Sequence, residues 1–327
     1  MKALITGSNG FIGSHLTERL VADGVNVRCL VRPTSDLSNL EGVEVEYIFG
    51  DITEPGSLRQ AVEGMDYVFH LGGITKAIDE KGYFDVNANG TRNLLDACVR
   101  YNPRVQRVVV VSSLAAGGPA RADRPRVESD SDSPVTPYGR SKKAGDDLAV
   151  QYADRLPITI LRPPAVYGPR EKDILIFFKL VSIHLRPQIG FSSKYLSVIF
   201  VSDLVEAVVL SSASSGPSGS IYYVDDGEIH TWQSFSSAIC RALETWALPL
   251  VVPESAVRMT GLFSEWISNW SGKPAVLNRQ KVIELTQPSW ATSSQKIRKE
   301  LGFESKVALD AGCRLTVEWY RKRSWIN

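Results

Sequence analysis

The chain has 327 residues, of which 43% are hydrophobic and 22% charged, with 37 lysines and arginines against 36 aspartates and glutamates. A balance this close to neutral excludes the basic surplus of a nucleic-acid binder and the acidic surplus of a solvating tail. The length allows one large domain, or a domain with a smaller lobe.

Four cysteines and four histidines are scattered without a paired spacing. Neither a metal site nor a disulfide framework is expected, and reduced thiols in the cytoplasm fit best. Met1-Lys2 leads straight into a strand-like run, so no signal peptide is expected. No stretch reaches about 18 uncharged apolar residues. The nearest, ILIFFKLVSIHL at 174–185, is interrupted by Lys179 and His184, so no integral membrane segment is expected.

The first element is the apolar run Lys2–Thr6, read as a buried parallel strand. A helical stripe follows from Phe11 to Leu20, apolar at 11, 12, 16 and 20. Between them stand Gly7, Gly10 and Gly13. Glycine costs backbone entropy, so three together need a local reason. Gly7 permits a tight turn, Gly10 lets the backbone approach a pyrophosphate, and Gly13 lets helix and strand pack closely. The helix start then offers free N–H groups to the phosphates.

The second strand is Asn26–Val31, and its end selects the cofactor. An acidic residue there would hold an adenosine ribose 2′-hydroxyl, whereas an arginine accommodates a 2′-phosphate. The chain has Arg32 and Ser35, with no carboxylate before Asp36. The reading favours NADP(H) over NAD(H).

The third strand, VEVEYIFGDI, closes on Gly50-Asp51-Ile52, where an adenine would rest and Asp51 would accept from its amino group. The fourth, Met65–Leu71, is followed by Gly72-Gly73, which admits backbone close to the middle of the cofactor. A helix is expected around NANGTRNLLDACVRY, then a fifth, continuously β-branched strand from Gln106 to Ser112. Strand–helix alternation through residue 165 means a doubly wound α/β sheet, with ligands at the carboxyl ends of the strands.

Ser112 and Ser113 end the fifth strand at that edge. After a polar loop comes Tyr138-Gly139-Arg140-Ser141-Lys142. Tyr138 and Lys142 are four apart, one helical turn on one face. A phenol with a reference pKa of about 10 is a poor base at neutral pH. The Lys142 ammonium and an oxidised nicotinamide would both favour the phenolate. With Ser113 holding a substrate oxygen, the three form a proton relay beside a hydride carrier.

This combination resembles the extended short-chain dehydrogenase/reductase family. The matching pieces are TGSNGFIG, GDI, VFHLGG, NANGTRNLL, SSLAAGG, YGRSK and LRPPAVYGP over about residues 1–170, with FVSDLVEAV at 200–208 extending the match. The resemblance implies a catalytic set Ser113, Tyr138 and Lys142, Ser113 being preferred to Ser112 for its distance from Gly118. It implies cofactor contacts from Gly7, Asn9, Gly10, Phe11, Ile12, Gly13, Arg32, Ser35, Asp51, Ile52, Leu71, Gly72, Gly73, Asn87, Ser112, Tyr138, Lys142 and Pro163. It also implies a homodimer and a small-molecule substrate.

Two departures stand out. HLGG replaces the frequent HLAA, a change expected to be harmless. Nucleotide-sugar members often carry an arginine in an R-x-F-x-x-V segment, and here that position holds Leu196. A diphosphate would lose a bidentate partner there, leaving Arg162, Arg170 and Arg186 as substitutes.

Beyond residue 165 the composition shifts toward an apolar lobe. IYYV at 221–224 reads as a strand returning to the main sheet. The expected division is therefore a Rossmann domain at 1–165 plus about 200–225, and a substrate-binding lobe at 166–199 and 226–327. VRMTGLFSEWISNW (257–270) has a helical apolar stripe, read as core or as the wall of an apolar substrate site. The charged residues of 290–303 and the terminal RKRSWIN are read as solvated.

The expected activity is interconversion of a secondary alcohol and a ketone on a fairly apolar substrate, in the manner of 3β-hydroxysteroid dehydrogenase-like and dihydroflavonol reductase-like members. The alternatives are a nucleotide-sugar epimerase or dehydratase with tightly bound NAD, and a non-catalytic dinucleotide sensor. VRCLVRPTSDLSNLEG, similar to a hopanoid-associated sugar epimerase group, supports the former.

Overall fold

A computed structural model describes residues 1–121, 124–256, 259 and 279–326. Most of the expected stripe at 257–270 lies outside the described residues.

The main sheet has seven parallel strands in the order β11-β6-β5-β4-β1-β2-β3. They are β1 (Lys2–Thr6), β2 (Asn26–Val31), β3 (Glu46–Phe49), β4 (Tyr67–His70), β5 (Arg107–Val111), β6 (Ile158–Arg162) and β11 (Ser220–Tyr223). β5 and β6 are buried along their whole length, as continuous apolar runs in a parallel sheet should be. Strand order reverses beside β1, between β2 and β4, and the carboxyl ends there form the crevice in which such sheets bind ligands.

Three helices carry the residues of interest: α1 (Phe11–Ala22), α2 (Gly90–Tyr101) and α3 (Pro137–Gln151). α2 is entered through a π-helical turn, Asp85–Asn89, a widened turn often found at functional sites. α3 starts on a Thr136 side-chain cap to the Gly139 N–H (3.1 Å), with Pro137 at its first position.

The remaining elements build the second layer. β7 (Ala165–Tyr167) pairs β10 (Val198–Phe200). β9 (Tyr195–Leu196) lies between β12 (His230–Thr231) and β14 (Ser289–Trp290). β8 (Leu185–Ile189) pairs β13 (Leu248–Val252) as a parallel ribbon. Helices α4 (Leu175–Ser182), α6 (Trp232–Leu243) and α7 (Leu309–Lys322) complete it, while α5 (Val201–Ser212) packs beside α1 on the main sheet.

Two apolar cores flank the main sheet, and a third, rich in aromatics, joins α4, α6 and α7. The chain end contributes to the third core. Ile326 is buried and Trp325 stacks on Tyr320, which anchors the segment, while the basic residues Arg321, Lys322 and Arg323 are exposed. Lys296 and Arg298 are likewise not free: Lys296 donates to the Ile221 carbonyl (3.0 Å) and Arg298 to that of Asp226 (3.2 Å), holding the end of β11.

Candidate active site

The glycine turn leaves β1 with Gly7 at φ +72°, a left-handed conformation that favours glycine. A Cβ on Gly7 would also lie 2.8 Å from the Leu71 carbonyl carbon, because the turn touches the end of β4. A Cβ on Gly13 would lie 2.7 Å from the Gly7 carbonyl carbon and 2.9 Å from Ser8 Cα, and closer still to the Gly7 oxygen. Gly10 is exposed and caps α1 with no side-chain bond, so the N–H groups of the first turn face the crevice unobstructed by a cap. The buried Ser8 hydroxyl beside this turn has no hydrogen-bond partner.

Around this cradle the expected cofactor residues take these places. Asn9 ties the turn to the loop after β2, donating to the Asp36 carbonyl (3.1 Å) and accepting from Asn39 (3.0 Å). Phe11 and Ile12 are half-buried against the third core. Arg32 and Ser35 close a short turn through Ser35 N–H to Arg32 C=O (3.0 Å) and Arg32 N–H to Ser35 Oγ (3.1 Å). The Arg32 side chain is exposed, and its guanidinium has no partner among the described residues. Asp51 accepts from the Thr53 N–H and hydroxyl (both 2.8 Å), and Ile52 is buried against Gly90.

At the end of β4, the Leu71 N–H donates to the Thr6 carbonyl (3.1 Å) and the Gly72 N–H to Thr6 Oγ1 (3.0 Å). A Cβ on Gly72 would meet Thr6 Oγ1 at 2.9 Å, and one on Gly73 would meet Asn87 Oδ1 at 2.9 Å. In this chain HLGG is thus fitted to its neighbours. Asn87 is buried in the π-helical turn and works as a clamp. Its Oδ1 accepts from Ile74 N–H (2.9 Å), and its Nδ2 donates to Ile74 C=O and Ser141 Oγ (both 3.0 Å). It fastens the loop after β4 to α3.

The catalytic candidates meet here. Ser113 caps the one-turn helix Leu114–Gly117, accepting from the Ala115 N–H (3.1 Å). Pro163, after β6, accepts from the Leu114 N–H (2.8 Å). Lys142 donates to the Val111 carbonyl (3.0 Å), and a Cβ on Gly73 would lie 3.8 Å from its Nζ. Tyr138 packs edge-on against Tyr83, centroids 6.1 Å apart. Tyr138 and Lys142 are hemmed in by protein yet remain partly exposed.

The electrostatics correct one expectation. Burial pushes the Tyr138 phenol up to about 12, with a hydrogen bond from Ser113 the first influence pulling it down. The expected depression by Lys142 is not among the influences on the phenol. Burial lowers the pKa of Lys142, and Asp146 one turn on opposes that.

Sequence reasoning missed the layer behind these residues. Asp146 is buried and bonds Arg162 (2.8 Å). Arg162 forks onto Asp132 (2.7 and 2.9 Å) and reaches Tyr223 (3.3 Å), whose hydroxyl also accepts from Arg126 (3.1 Å). Burial raises the Asp146 pKa, and the Arg162 charge opposes it. The Ser112 hydroxyl lies buried beside Asp146 without a hydrogen-bond partner of normal geometry. The spacing Tyr138, Lys142, Asp146 along one helix face was the available signal. His70 is also buried, between Thr6 (2.8 Å) and Thr91 (3.0 Å). Burial first, then Lys142, push it down to about 3, so it is neutral.

Two of the substitute arginines are occupied: Arg162 by this network, and Arg170 by Ser14 and Glu18 (both 3.1 Å). Arg186 bonds Ser237 (3.2 Å). Leu196, at the missing arginine position, is core. Among the described residues no group of acidic, histidine or cysteine side chains could hold a metal, and no helix is long and apolar enough to cross a membrane.

The residues present fit a dinucleotide. Gly7 and Gly13 hold the turn tight against its neighbours, and exposed Gly10 keeps the uncapped start of α1 free of any side chain, a Cβ there meeting only the Gly7 oxygen at 3.2 Å. Comparison with known proteins agrees. The model of the NAD dependent epimerase/dehydratase family matches residues 3–224. The ceramide reductase of Caulobacter vibrioides is 29% identical over 326 residues, 98% of this chain and 95% of that protein. The 3 beta-hydroxysteroid dehydrogenase/Delta 5-->4-isomerase of Mycobacterium tuberculosis is 27% identical over 329 residues, 93% of this chain and 86% of that one. Among solved structures, the dTDP-glucose 4,6-dehydratase DesIV of Streptomyces venezuelae, with NAD bound, superposes with a TM-score of 0.81 at 25% identity, covering 99% of this chain and 98% of that one. The glycine cradle, the Ser–Tyr–Lys cluster and these matches together place the chain in the NAD dependent epimerase/dehydratase family, as an enzyme of the extended short-chain dehydrogenase/reductase type.

Proposed function

We propose that the protein is an NADP(H)-dependent reductase acting between a ketone and a secondary alcohol on a fairly apolar substrate. The observation that carries this reading is the convergence of Ser113, Tyr138 and Lys142 at the carboxyl edge of β5, next to Gly73 and the glycine cradle. The nicotinamide cofactor supplies the hydride when bound. Ser113 orients the carbonyl oxygen, and the Tyr138 hydroxyl gives it the proton. Lys142 steadies the phenolate left behind and holds the nicotinamide ribose.

A phenol held at about 12 favours the reducing direction, because at neutral pH Tyr138 is an acid with its proton in place. The exposed Arg32 guanidinium, without a partner among the described residues and with Ser35 across the turn, supports a 2′-phosphate and therefore NADP(H) over NAD(H). The residues from 166 to 199 and beyond 226 are assigned to substrate binding, and two copies are assigned to the working unit, in a cytoplasmic setting. The nucleotide-sugar alternative is disfavoured by Leu196, which is core where an arginine would be needed, and by the occupied Arg162 and Arg170.

The test is Tyr138→Phe. NADPH binding should persist while ketone reduction falls by about 10²–10⁴-fold, the range for loss of a positioned acid. Undiminished turnover would reject Tyr138 as the proton donor.

A further inference from the structure

His70 ends β4, and the proton relay makes no use of it. In the sheet register it lies beside Thr6 of β1 on one side and Val110 of β5 on the other. Its ring is buried, as are Thr6, Thr91 and Asn87 around it. A buried imidazole needs both nitrogens satisfied. Nδ1 stands 2.8 Å from Thr6 Oγ1, and Nε2 3.0 Å from Thr91 Oγ1. The ring is neutral, so one nitrogen donates and the other accepts.

The surrounding bonds decide which. The Thr91 hydroxyl donates its one proton to the Asn87 carbonyl (2.7 Å), a group that can only accept. Thr91 therefore offers His70 a lone pair, and the ring proton is on Nε2. Nδ1 is then bare and accepts from the Thr6 hydroxyl. With its proton spent, Thr6 Oγ1 turns a lone pair to the Gly72 N–H (3.0 Å). The bonds thus run in one direction, from Gly72 through Thr6, His70 and Thr91 to the Asn87 carbonyl. Both ends of this chain hold the same short loop. Gly72 is held directly, and Ile74 is held by the Asn87 side chain at its N–H (2.9 Å) and its C=O (3.0 Å). Gly73 lies between them, where a Cβ would stand 3.8 Å from Lys142 Nζ.

We propose that His70, as the Nε2–H tautomer, is a positioning residue for the dinucleotide: by fixing the Thr6 hydroxyl it holds the Gly72–Gly73 backbone where the nicotinamide half meets Lys142. The inference rests on the dinucleotide reading of the glycine cradle and deepens it. His70 acts through Thr6 and Gly72 rather than on the cofactor itself. The direction of the chain gives its two ends different demands. Asparagine at 70 carries Oδ1 at the same bond count as Nδ1 and can accept from Thr6. Glutamine carries Nε2 at the reach of the imidazole Nε2 and serves only the Thr91 end. Phenylalanine serves neither, and leaves the Thr6 hydroxyl free to turn its proton toward Gly72.

Two measurements test it. In the parent protein with isotope-labelled histidine, nitrogen NMR reads the tautomer, and the signal lost in His70→Asn assigns it. A bare Nδ1 with a protonated Nε2 at neutral pH is the expected result, and a protonated Nδ1 overturns the proposal. In the second, each protein is titrated calorimetrically with NADPH, or with NADH if the parent binds that more tightly, and with the matching adenosine fragment, 2′,5′-ADP or AMP, which lacks the nicotinamide half. His70→Phe, His70→Gln and Thr6→Val should each weaken the dinucleotide by about tenfold while the fragment binds as it does to the parent. His70→Asn should restore most of the affinity. Where His70→Phe does not fold, Thr6→Val and the comparison of His70→Asn with His70→Gln decide. Unchanged dinucleotide affinity in these variants overturns the proposal and leaves the site reading intact. An equal loss for dinucleotide and fragment also overturns it, because His70 would then serve only the fold. Rescue by His70→Gln in place of His70→Asn overturns it as well. A parent protein that binds neither dinucleotide removes the site reading, and the proposal with it.

Discussion

Gly10 and Gly13 lie three residues apart and serve different ends, so their alanine variants separate packing from cofactor contact. At Gly13 the new Cβ stands 2.7 Å from the Gly7 carbonyl carbon, about 0.7 Å inside ordinary contact, which begins near 3.4 Å. Both sides are backbone, so no rotamer change relieves it. Overpacking of this kind costs up to about 3 kcal/mol. Alanine returns about 1 kcal/mol through helix propensity. The net loss for Gly13→Ala is then about 2 kcal/mol, and NADPH affinity should fall with it because the turn must open. At Gly10 the Cβ meets only the Gly7 oxygen, at 3.2 Å, which a small shift relieves. Gly10→Ala should therefore stay within about 0.5 kcal/mol of the parent in urea unfolding, the usual size of a surface substitution, yet bind NADPH at least tenfold more weakly by calorimetry. A Gly13→Ala protein as stable as Gly10→Ala would refute the packing argument. A Gly10→Ala protein with parental affinity would refute the close approach of a pyrophosphate.

Three further outcomes are expected. Arg162→Met leaves the buried Asp146 carboxylate without its cation and should cost about 3–5 kcal/mol in urea unfolding; a loss under about 1 kcal/mol would mean that Asp146 is neutral in the parent. Reduction needs Tyr138 protonated, and its phenol is held at about 12, so reductive kcat should be flat from about pH 6 to 9 while alcohol oxidation climbs with pH; a reductive rate already falling by about pH 8 would contradict the assignment. For His230, burial disfavours the charged ring, but the Asp226 hydrogen bond (2.7 Å) and charge overcome this and raise its pKa above 6.5. The pair's stabilisation is full below about pH 6.5 and is lost as pH rises through the raised folded value. His230→Gln should remove that part of the pH dependence in unfolding measured at about pH 6 and pH 9, and an unchanged slope would show that the pair does not titrate there.

What the sequence disclosed was whatever is written locally. Gly7 needs φ +72°, and Gly13 needs to lack a Cβ. Both demands are met within a dozen residues, so spacing alone reveals them. Tyr138 and Lys142 were legible for the same reason: four residues on a helix make neighbours. The layer behind them was not. Asp146, Arg162, Asp132, Tyr223 and Arg126 come from separate segments, and only the fold brings their charges together. Arg162 had looked available for an anionic substrate until its two carboxylates were seen. The Tyr138 shift also ran opposite to expectation, because burial depends on what packs over the ring, including Tyr83, and not on the spacing to Lys142. Lys296 and Arg298 had the pattern of a solvated helix face, yet both donate to backbone carbonyls.

The most direct test of the account is calorimetric titration of the purified protein with NADPH and with NADH, after mass spectrometry has shown whether a cofactor is retained. The account predicts a protein that arrives largely empty, binds NADPH more tightly than NADH, and loses that preference in Arg32→Asp. A protein that retains NAD and shows no preference for NADPH would contradict it and shift the assignment to sugar-nucleotide chemistry.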